Sequence, residues 1–189
     1  KHGIDENRPV GLFVGRVAFE KNIGFLLRMW TELIKHQPDA LLVIAGEGPA
    51  EASLHALSKS LNLEHHVKFI GYMDRNTELN ACYASADVFV FSSLSETQGL
   101  VLLEAMAQAI PVVAIAELGT KSILIEGEGA MIAPHDELVF AQKVNVLLSD
   151  AKLRTKLGKA ALNYAKTRWT DKAQAERMIA FYKEIMPKE

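Results

Sequence analysis

The sequence predicts an α/β fold, with a parallel sheet of about six strands between two layers of helices. Short runs rich in β-branched and aromatic residues alternate with longer amphipathic segments along the chain. The short runs are apolar at consecutive positions rather than at every second one, as expected for strands that helices cover on both faces. A chain of 189 residues is long enough to form one such three-layer domain with a substantial core.

Six short apolar runs are predicted as strands. Glycine, proline or charged residues lie near their ends, as is typical of strand boundaries. The run Val88-Phe89-Val90-Phe91 is typical, because its β-branched and aromatic side chains suit a buried, pleated surface. In chain order, the predicted strands are Val10–Gly15, Ala40–Ala45, Val67–Ile70, Asp87–Phe91, Pro111–Ile115 and Ala130–Ala133.

Eight longer segments have the apolar spacing of helices. In the first of them, Ile23, Leu26, Leu27 and Trp30 lie on one stripe, and Asn22 is a suitable N-cap. The predicted helices are Ile23–His36, Ala50–Leu61, Arg75–Ala84, Leu100–Ala109, Thr120–Glu126, Glu137–Ser149, Lys152–Thr167 and Asp171–Met186.

The start of the sequence indicates a piece of a longer protein. The chain starts without methionine and reaches its first strand within ten residues. At the other end, two helices follow one another without a strand between them. We therefore treat residues 1–189 as one domain, and we expect the last helices, at about 168–189, to pack toward a missing amino-terminal domain.

Composition and charge exclude several classes of protein. A formal net charge of −2 argues against a general nucleic-acid binder. No apolar run is long enough to span a bilayer and no signal peptide is present, so a cytoplasmic location is predicted. The single cysteine, Cys82, has the pattern of a core thiol. The six histidines lack ligand spacing, so no metal site is predicted.

Two carboxylates, Glu96 and Glu104, lie eight positions apart at the start of a helix that Gly99 begins. That helix is otherwise almost wholly apolar, so we expect Glu104 to be buried and to need hydrogen-bond donors. The hydroxyl groups of a ligand would supply them; a nearby basic residue of the core is the alternative. Eight helical positions span about 12 Å, and the free N–H groups at Gly99 attract phosphate. This arrangement suits a nucleotide sugar.

A second candidate segment runs from Gly15 into the first helix. The Arg16 guanidinium is planar and donates several hydrogen bonds in a fixed arrangement, whereas the Lys21 ammonium group is a mobile point charge. Both side chains suit oxygen-rich anions. Because ligands of open α/β sheets bind at the carboxyl ends of the strands, this segment and Glu96 are expected to meet there. The alternative is that Arg16 and Lys21 form solvated ion pairs with Glu20 or Asp5.

Several segments of the sequence match, in order and spacing, the motifs of one known protein family. They are Val14-Gly15-Arg16 with Glu20-Lys21-Asn22, Ile44-Ala45-Gly46-Glu47-Gly48-Pro49, Val67-Lys68-Phe69-Ile70-Gly71, Tyr83 with Ala86-Asp87-Val88-Phe89-Val90, Glu96-x7-Glu104 with Ala105-Met106-Ala107, and Pro111-Val112-Val113-Ala114. In this order and spacing, from about residue 10 to residue 170, the chain resembles the carboxyl-terminal, donor-binding domain of retaining glycosyltransferases of family 4, also called group 1. The resemblance implies a Rossmann-like domain, which is one half of a GT-B fold.

The resemblance also implies roles for individual residues. Arg16 and Lys21, beside Gly15, match the pair that binds the donor diphosphate. Glu96, the catalytic candidate, matches the carboxylate that holds the transferred sugar, and Glu104 matches the one that binds the ribose. The backbone at Gly99 and Leu100 would meet the distal phosphate or sugar, and Tyr72 and Met73 would lie near the base. Such enzymes need no metal, because cationic side chains and helix dipoles stabilise the departing nucleoside diphosphate.

The expected function is therefore that of a hexosyltransferase-type enzyme that takes a nucleotide-sugar donor. The resemblance implies that the acceptor, a glycan or a lipid, is bound mainly by the missing amino-terminal domain. Contact of the full-length protein with the inner face of a membrane is expected only through that domain. This chain by itself is expected to be inactive. The alternatives are a non-catalytic donor-binding subunit and a GT-B-fold sugar-nucleotide epimerase.

Overall fold

The computed structural model describes residue 5 and residues 7–186. Within these residues, six strands form one parallel sheet in the order β3-β2-β1-β4-β5-β6. All six predicted strands are present, and the predicted Rossmann-like α/β fold is confirmed. The strands are β1 Val10–Val14, β2 Leu41–Ala45, β3 Val67–Gly71, β4 Val88–Phe91, β5 Val112–Ala114 and β6 Ala130–Ile132.

Eight α-helices of the described residues surround this sheet, in the order that the sequence predicts. They are α1 Ile23–Leu33, α2 Glu51–Ser60, α3 Leu79–Ala84, α4 Leu100–Ala107, α5 Thr120–Ile123, α6 Glu137–Ser149, α7 Ala151–Arg168 and α8 Asp171–Ile185. Helix α1 packs against α2 and α6, whereas α4 packs against α7, and both α4 and α6 lie on β4 and β5. The sheet is therefore covered on both faces, which explains the consecutive apolar positions of its strands.

The prediction that the third helix begins at Arg75 is wrong. The Asp74 carboxylate accepts the N–H groups of Asn76 and Thr77 at 3.0 Å each, which holds this stretch in a turn. Such a side-chain-to-backbone contact competes with helix formation. Helix α3 consequently begins at Leu79, and Arg75 lies on a loop at the carboxyl edge of the sheet.

The core of the first helical layer depends on a glycine in β1. Trp30 of α1 is completely buried, and a Cβ atom at Gly11 would lie 2.5 Å from its ring. Only glycine leaves room for the indole at this position. Cys82, on α3, is partly buried against the core, and burial raises its pKa to about 11, as expected for the predicted core thiol.

The strand order creates a crevice at the centre of the sheet. From β1 the chain proceeds to β2 on one side, while β4 pairs with β1 on the other side. The connections from β1 to β2 and from β4 to β5 therefore run in opposite directions along the sheet, and open α/β sheets bind ligands at such a switch point. In the described part of the chain, no helix has both the length and the apolar character needed to cross a membrane.

Candidate functional site

Two predicted site residues meet at the switch point between β1 and β4. Lys21 Nζ donates to Glu96 Oε2 at 2.7 Å, and the two side chains are only 20% and 17% exposed. Burial raises the pKa of Glu96, but the hydrogen bonds from Lys21 and the Gly99 amide outweigh it and hold that pKa below its ordinary value. Glu96 is therefore a carboxylate at neutral pH, and its partner is a shielded ammonium group.

Serine hydroxyl groups after β4 hold the segment that carries Lys21. Ser92 Oγ donates to the carbonyl oxygen of Asn22 at 2.9 Å and lies 3.3 Å from that of Lys21, while Ser93 Oγ donates to the Glu20 carbonyl at 3.3 Å. Both serines are fully buried, so these hydrogen bonds are not exchanged with water. The backbone of Lys21 is consequently fixed relative to the loop of Glu96.

Asn22 is the N-cap residue of α1, as predicted, but its side chain makes no capping hydrogen bond. Asn22 adopts a left-handed conformation, with φ of 54°, whereas side-chain N-caps have extended backbones. Its amide instead donates to the Ser92 carbonyl at 3.2 Å and lies 3.3 Å from Nε2 of His135. Asn22 thus adds a further connection between the two loops of the site.

Arg16 lies on the exposed side of the same site. Its guanidinium donates to Glu20 Oε1 at 2.7 Å, and the two side chains are 65% and 44% exposed. This is the solvated ion pair that the sequence offered as an alternative. Because exposed pairs contribute little free energy, Arg16 can leave Glu20 for a stronger anion at small cost.

Glu104 is less buried than the sequence predicts. Its side chain is 27% exposed, because α4 is not enclosed all round: Leu100, in its first turn, is 55% exposed. Tyr83 donates its hydroxyl to Glu104 Oε2 at 2.8 Å, and Arg75 forms an ion pair with the other carboxylate oxygen. Burial and the Glu104 charge raise the pKa of Tyr83, which keeps this phenol a donor.

A cavity of about 410 Å³ joins several of the predicted donor residues. Gly15, Arg16, Tyr72, Met73 and Glu104 all line it. The other predicted residues, Lys21, Glu96, Gly99 and Leu100, are not among its lining residues; they belong to the adjoining loops after β1 and β4 and the start of α4.

Two charged lining residues, Arg75 and Glu47, were not among the predicted site residues; the segment Gly46-Glu47-Gly48-Pro49 was interpreted as a plain tight turn. Arg75 was placed in a helix, although the sequence Asp74-Arg75-Asn76-Thr77 is typical of the turn it forms. Glu47 Oε1 accepts the backbone N–H of Tyr72 at 3.3 Å and so connects the loops after β2 and β3. No sequence signal identifies that contact, since it depends on the pairing of β2 with β3.

Within residues 7–186, no three His, Cys, Asp or Glu side chains are grouped as a metal ion would require. Three ion pairs of candidate site residues lie at this edge of the sheet: Lys21–Glu96, which is largely buried, Arg16–Glu20, which is exposed, and Arg75–Glu104, in which Arg75 is 65% and Glu104 27% exposed. They can exchange partners with a ligand that bears both anionic groups and hydroxyls.

The family model of the glycosyl transferases group 1 matches residues 1–164. The chain belongs to this family. It is 34% identical over 187 residues to D-inositol 3-phosphate glycosyltransferase from Corynebacterium diphtheriae, an alignment that covers 95% of this chain and 43% of the relative. The chain spans about half the length, or less, of the curated relatives it matches.

Solved structures have the same fold as this group 1 glycosyltransferase chain. Sucrose-phosphate synthase from Thermosynechococcus elongatus superposes with a TM-score of 0.84 at 28% identity, covering 96% of this chain and 46% of the other. Anabaena HepE in complex with UDP-glucose gives a TM-score of 0.81 at 22% identity, covering 95% and 50%. At 22% identity, the similarity to HepE shows only that the two proteins share a fold.

Proposed function

We propose that this chain is the donor-binding half of a glycosyltransferase that takes a nucleoside-diphosphate sugar and retains the anomeric configuration. The Lys21–Glu96 pair carries the proposal, because it sets a shielded cation beside a shielded carboxylate at the switch point of the sheet. An ammonium group suits a diphosphate, and a carboxylate suits the hydroxyls of a sugar. That relatives are named glycosyltransferases supports this assignment.

In this proposal the diphosphate lies between β1 and α4. Lys21 and Arg16 bind its oxygens, beside Gly15. The N–H groups at Gly99 and Leu100 form the amino end of α4, whose partial positive charge favours phosphate. Glu96 holds hydroxyls of the transferred sugar and is the catalytic residue.

The nucleoside fills the cavity of about 410 Å³. Glu104 accepts the ribose hydroxyls, while Tyr83 and Arg75 hold its carboxylate in position. Tyr72, whose side chain is 65% exposed, and Met73 form the part of the wall assigned to the base.

We propose that bond cleavage is assisted by these groups without a metal ion. Negative charge develops on the departing nucleoside diphosphate, and Arg16, Lys21 and the amino end of α4 are placed to stabilise it. Preorganised cations and dipoles of this kind act strongly in sites shielded from water. Glu96 stays close to the reacting sugar throughout.

The acceptor, a glycan or a lipid, is assigned to a further domain of the whole protein, which we place in the cytoplasm. Helix α8 is proposed to pack against that domain. It has no buried residue, and apolar side chains along it are more than half exposed: Met178, Ile179, Phe181, Tyr182 and Ile185. Little or no sugar transfer is expected from this chain alone.

Ligand-induced stabilisation tests the proposed donor. A panel of uridine, guanosine and adenosine diphosphate sugars is added to this chain, and thermal unfolding is followed. At 100 times the dissociation constant, the donor with the right base should stabilise the fold by about 2.7 kcal/mol, which raises Tm by roughly 5–10 °C for a domain of this size. The nucleosides without phosphate serve as controls. If no diphosphate sugar changes Tm, the chain does not bind such a donor.

A further inference from the structure

The Glu96 carboxylate already occupies the position where the Lys21 ammonium group and the amino end of α4 converge. Glu96 Oε2 accepts from Lys21 Nζ at 2.7 Å, and Glu96 Oε1 accepts from the Gly99 N–H at 3.3 Å. The same two donors, Lys21 and the amino end of α4, are those assigned above to the distal phosphate. Glu96 therefore stands in direct competition with a phosphate group for both donors.

The loop that carries Glu96 is held by backbone contacts. The backbone carbonyl of Glu96 accepts the N–H of Gly119 at 3.0 Å, and a Cβ atom at Gly119 would lie 2.0 Å from the carbonyl oxygen of Thr97. The loop of Glu96 is thus in close backbone contact with the loop after β5. At 17% exposure, the charge of Glu96 is also poorly screened by water and salt.

A free nucleoside diphosphate and its sugar ester differ in what they present to this carboxylate. The terminal phosphate of the free diphosphate carries close to two negative charges at neutral pH, whereas the ester retains only one. The sugar also brings hydroxyl groups, which can donate hydrogen bonds to Glu96. Bare phosphate oxygens can only accept, so they meet Glu96 as one anion meets another.

We infer that Glu96 is a specificity-determining residue that disfavours free nucleoside diphosphate relative to the nucleoside-diphosphate sugar. This rests on the proposed function and deepens it. Since the free diphosphate is the product that remains after sugar transfer, the same repulsion promotes its release. Glu96 thereby limits inhibition by product as well as holding the sugar.

The test compares two ligands on three forms of the chain. Isothermal titration calorimetry gives the dissociation constants of the nucleoside diphosphate and of its glucose ester, with the base that the thermal panel selects. The forms are the unmodified chain, Glu96→Gln and Glu104→Gln. Glutamine keeps the size of Glu96, removes its charge and adds a donor for phosphate. Glu104→Gln is the matched control, because the ribose it is assigned to is common to both ligands.

For Glu96→Gln, binding of the free diphosphate should tighten by roughly tenfold, the factor that corresponds to 1.4 kcal/mol, while binding of the sugar ester should stay equal or weaken. For Glu104→Gln, both ligands should weaken by the same factor. Glu96→Asp, which keeps the charge, should retain the preference for the ester and shows whether loss of folding explains the result.

Two results would overturn the inference. If Glu96→Gln changes both dissociation constants by one factor, or weakens the free diphosphate, Glu96 does not discriminate between the ligands and the proposed donor site survives without it. If the unmodified chain binds neither ligand, the proposed function fails, and the inference fails with it.

Discussion

Replacing Lys21 with alanine is expected to weaken nucleoside-diphosphate binding by about 100-fold, which corresponds to roughly 2.7 kcal/mol. A hydrogen bond to a charged group contributes about 1.5–3 kcal/mol, and this substitution removes one to the phosphate. It also leaves the Glu96 carboxylate, only 17% exposed, without its cation and beside the bound anion. Calorimetric titration of both proteins with the nucleoside diphosphate measures the difference.

Lys35→Ala is the matched control for Lys21→Ala. Lys35 also forms an ion pair, with Glu32, but its side chain is 61% exposed and lies after α1, away from the switch point. Surface pairs of this kind contribute little, so ligand affinity should not change. If the two alanine variants bound the ligand equally well, Lys21 would have no part in the site.

Replacing Gly119 with alanine is expected to disturb the same site from the opposite loop. The backbone of Gly119 is ordinary for any residue, with φ of −60° and ψ of −28°, so the difficulty is space alone. The new Cβ atom would lie 2.0 Å from the Thr97 carbonyl oxygen and 2.9 Å from that of Glu96. Overpacking costs about 1–3 kcal/mol. Displacement of the Glu96 loop should also lower donor affinity by roughly tenfold.

Gly24→Ala provides the comparison for Gly119→Ala. Gly24 lies inside α1, and a Cβ atom there would make ordinary contacts of 3.5 Å with Arg28 and Leu57. Alanine is favoured over glycine in a helix by about 0.5–1 kcal/mol, so this variant should unfold at higher denaturant concentration and bind the donor normally. Chemical denaturation and calorimetry of both variants measure the two effects. Unchanged stability and affinity in Gly119→Ala would mean that the loops after β4 and β5 are not closely coupled.

The elements of the fold could be predicted from sequence because each depends on its own side chains. The run Val88-Phe89-Val90-Phe91 is apolar throughout, and β4 is accordingly buried at all four positions. The order of the strands in the sheet could not be predicted in this way, because it depends on pairing between segments far apart in the chain. Nothing local in β1 indicates that its neighbours are β2 and β4.

The candidate site was predictable where the chain is locally constrained. Gly99 is the N-cap residue immediately before α4, with φ of 61°, as expected for a glycine at the start of this helix. Partners of charged groups were harder, because they come from distant segments: Lys21 meets Glu96 across 75 positions, and Glu104 meets Arg75 across 29. The burial of Glu104 was overestimated because one side of α4 faces a cavity rather than another helix, and that cavity is formed by segments distant in the chain.

A structure of this chain with a nucleoside-diphosphate sugar bound would test the proposed donor site most directly. We predict the diphosphate within hydrogen-bonding distance of Lys21 Nζ and the amino end of α4, the ribose hydroxyls on Glu104, and the base in the cavity beside Tyr72. Two other cavities offer clear alternatives, one beside His55 and Phe69 and one beside Leu94 and His135. A donor bound in either of these, with the Lys21–Glu96 pair untouched, would contradict the proposed function.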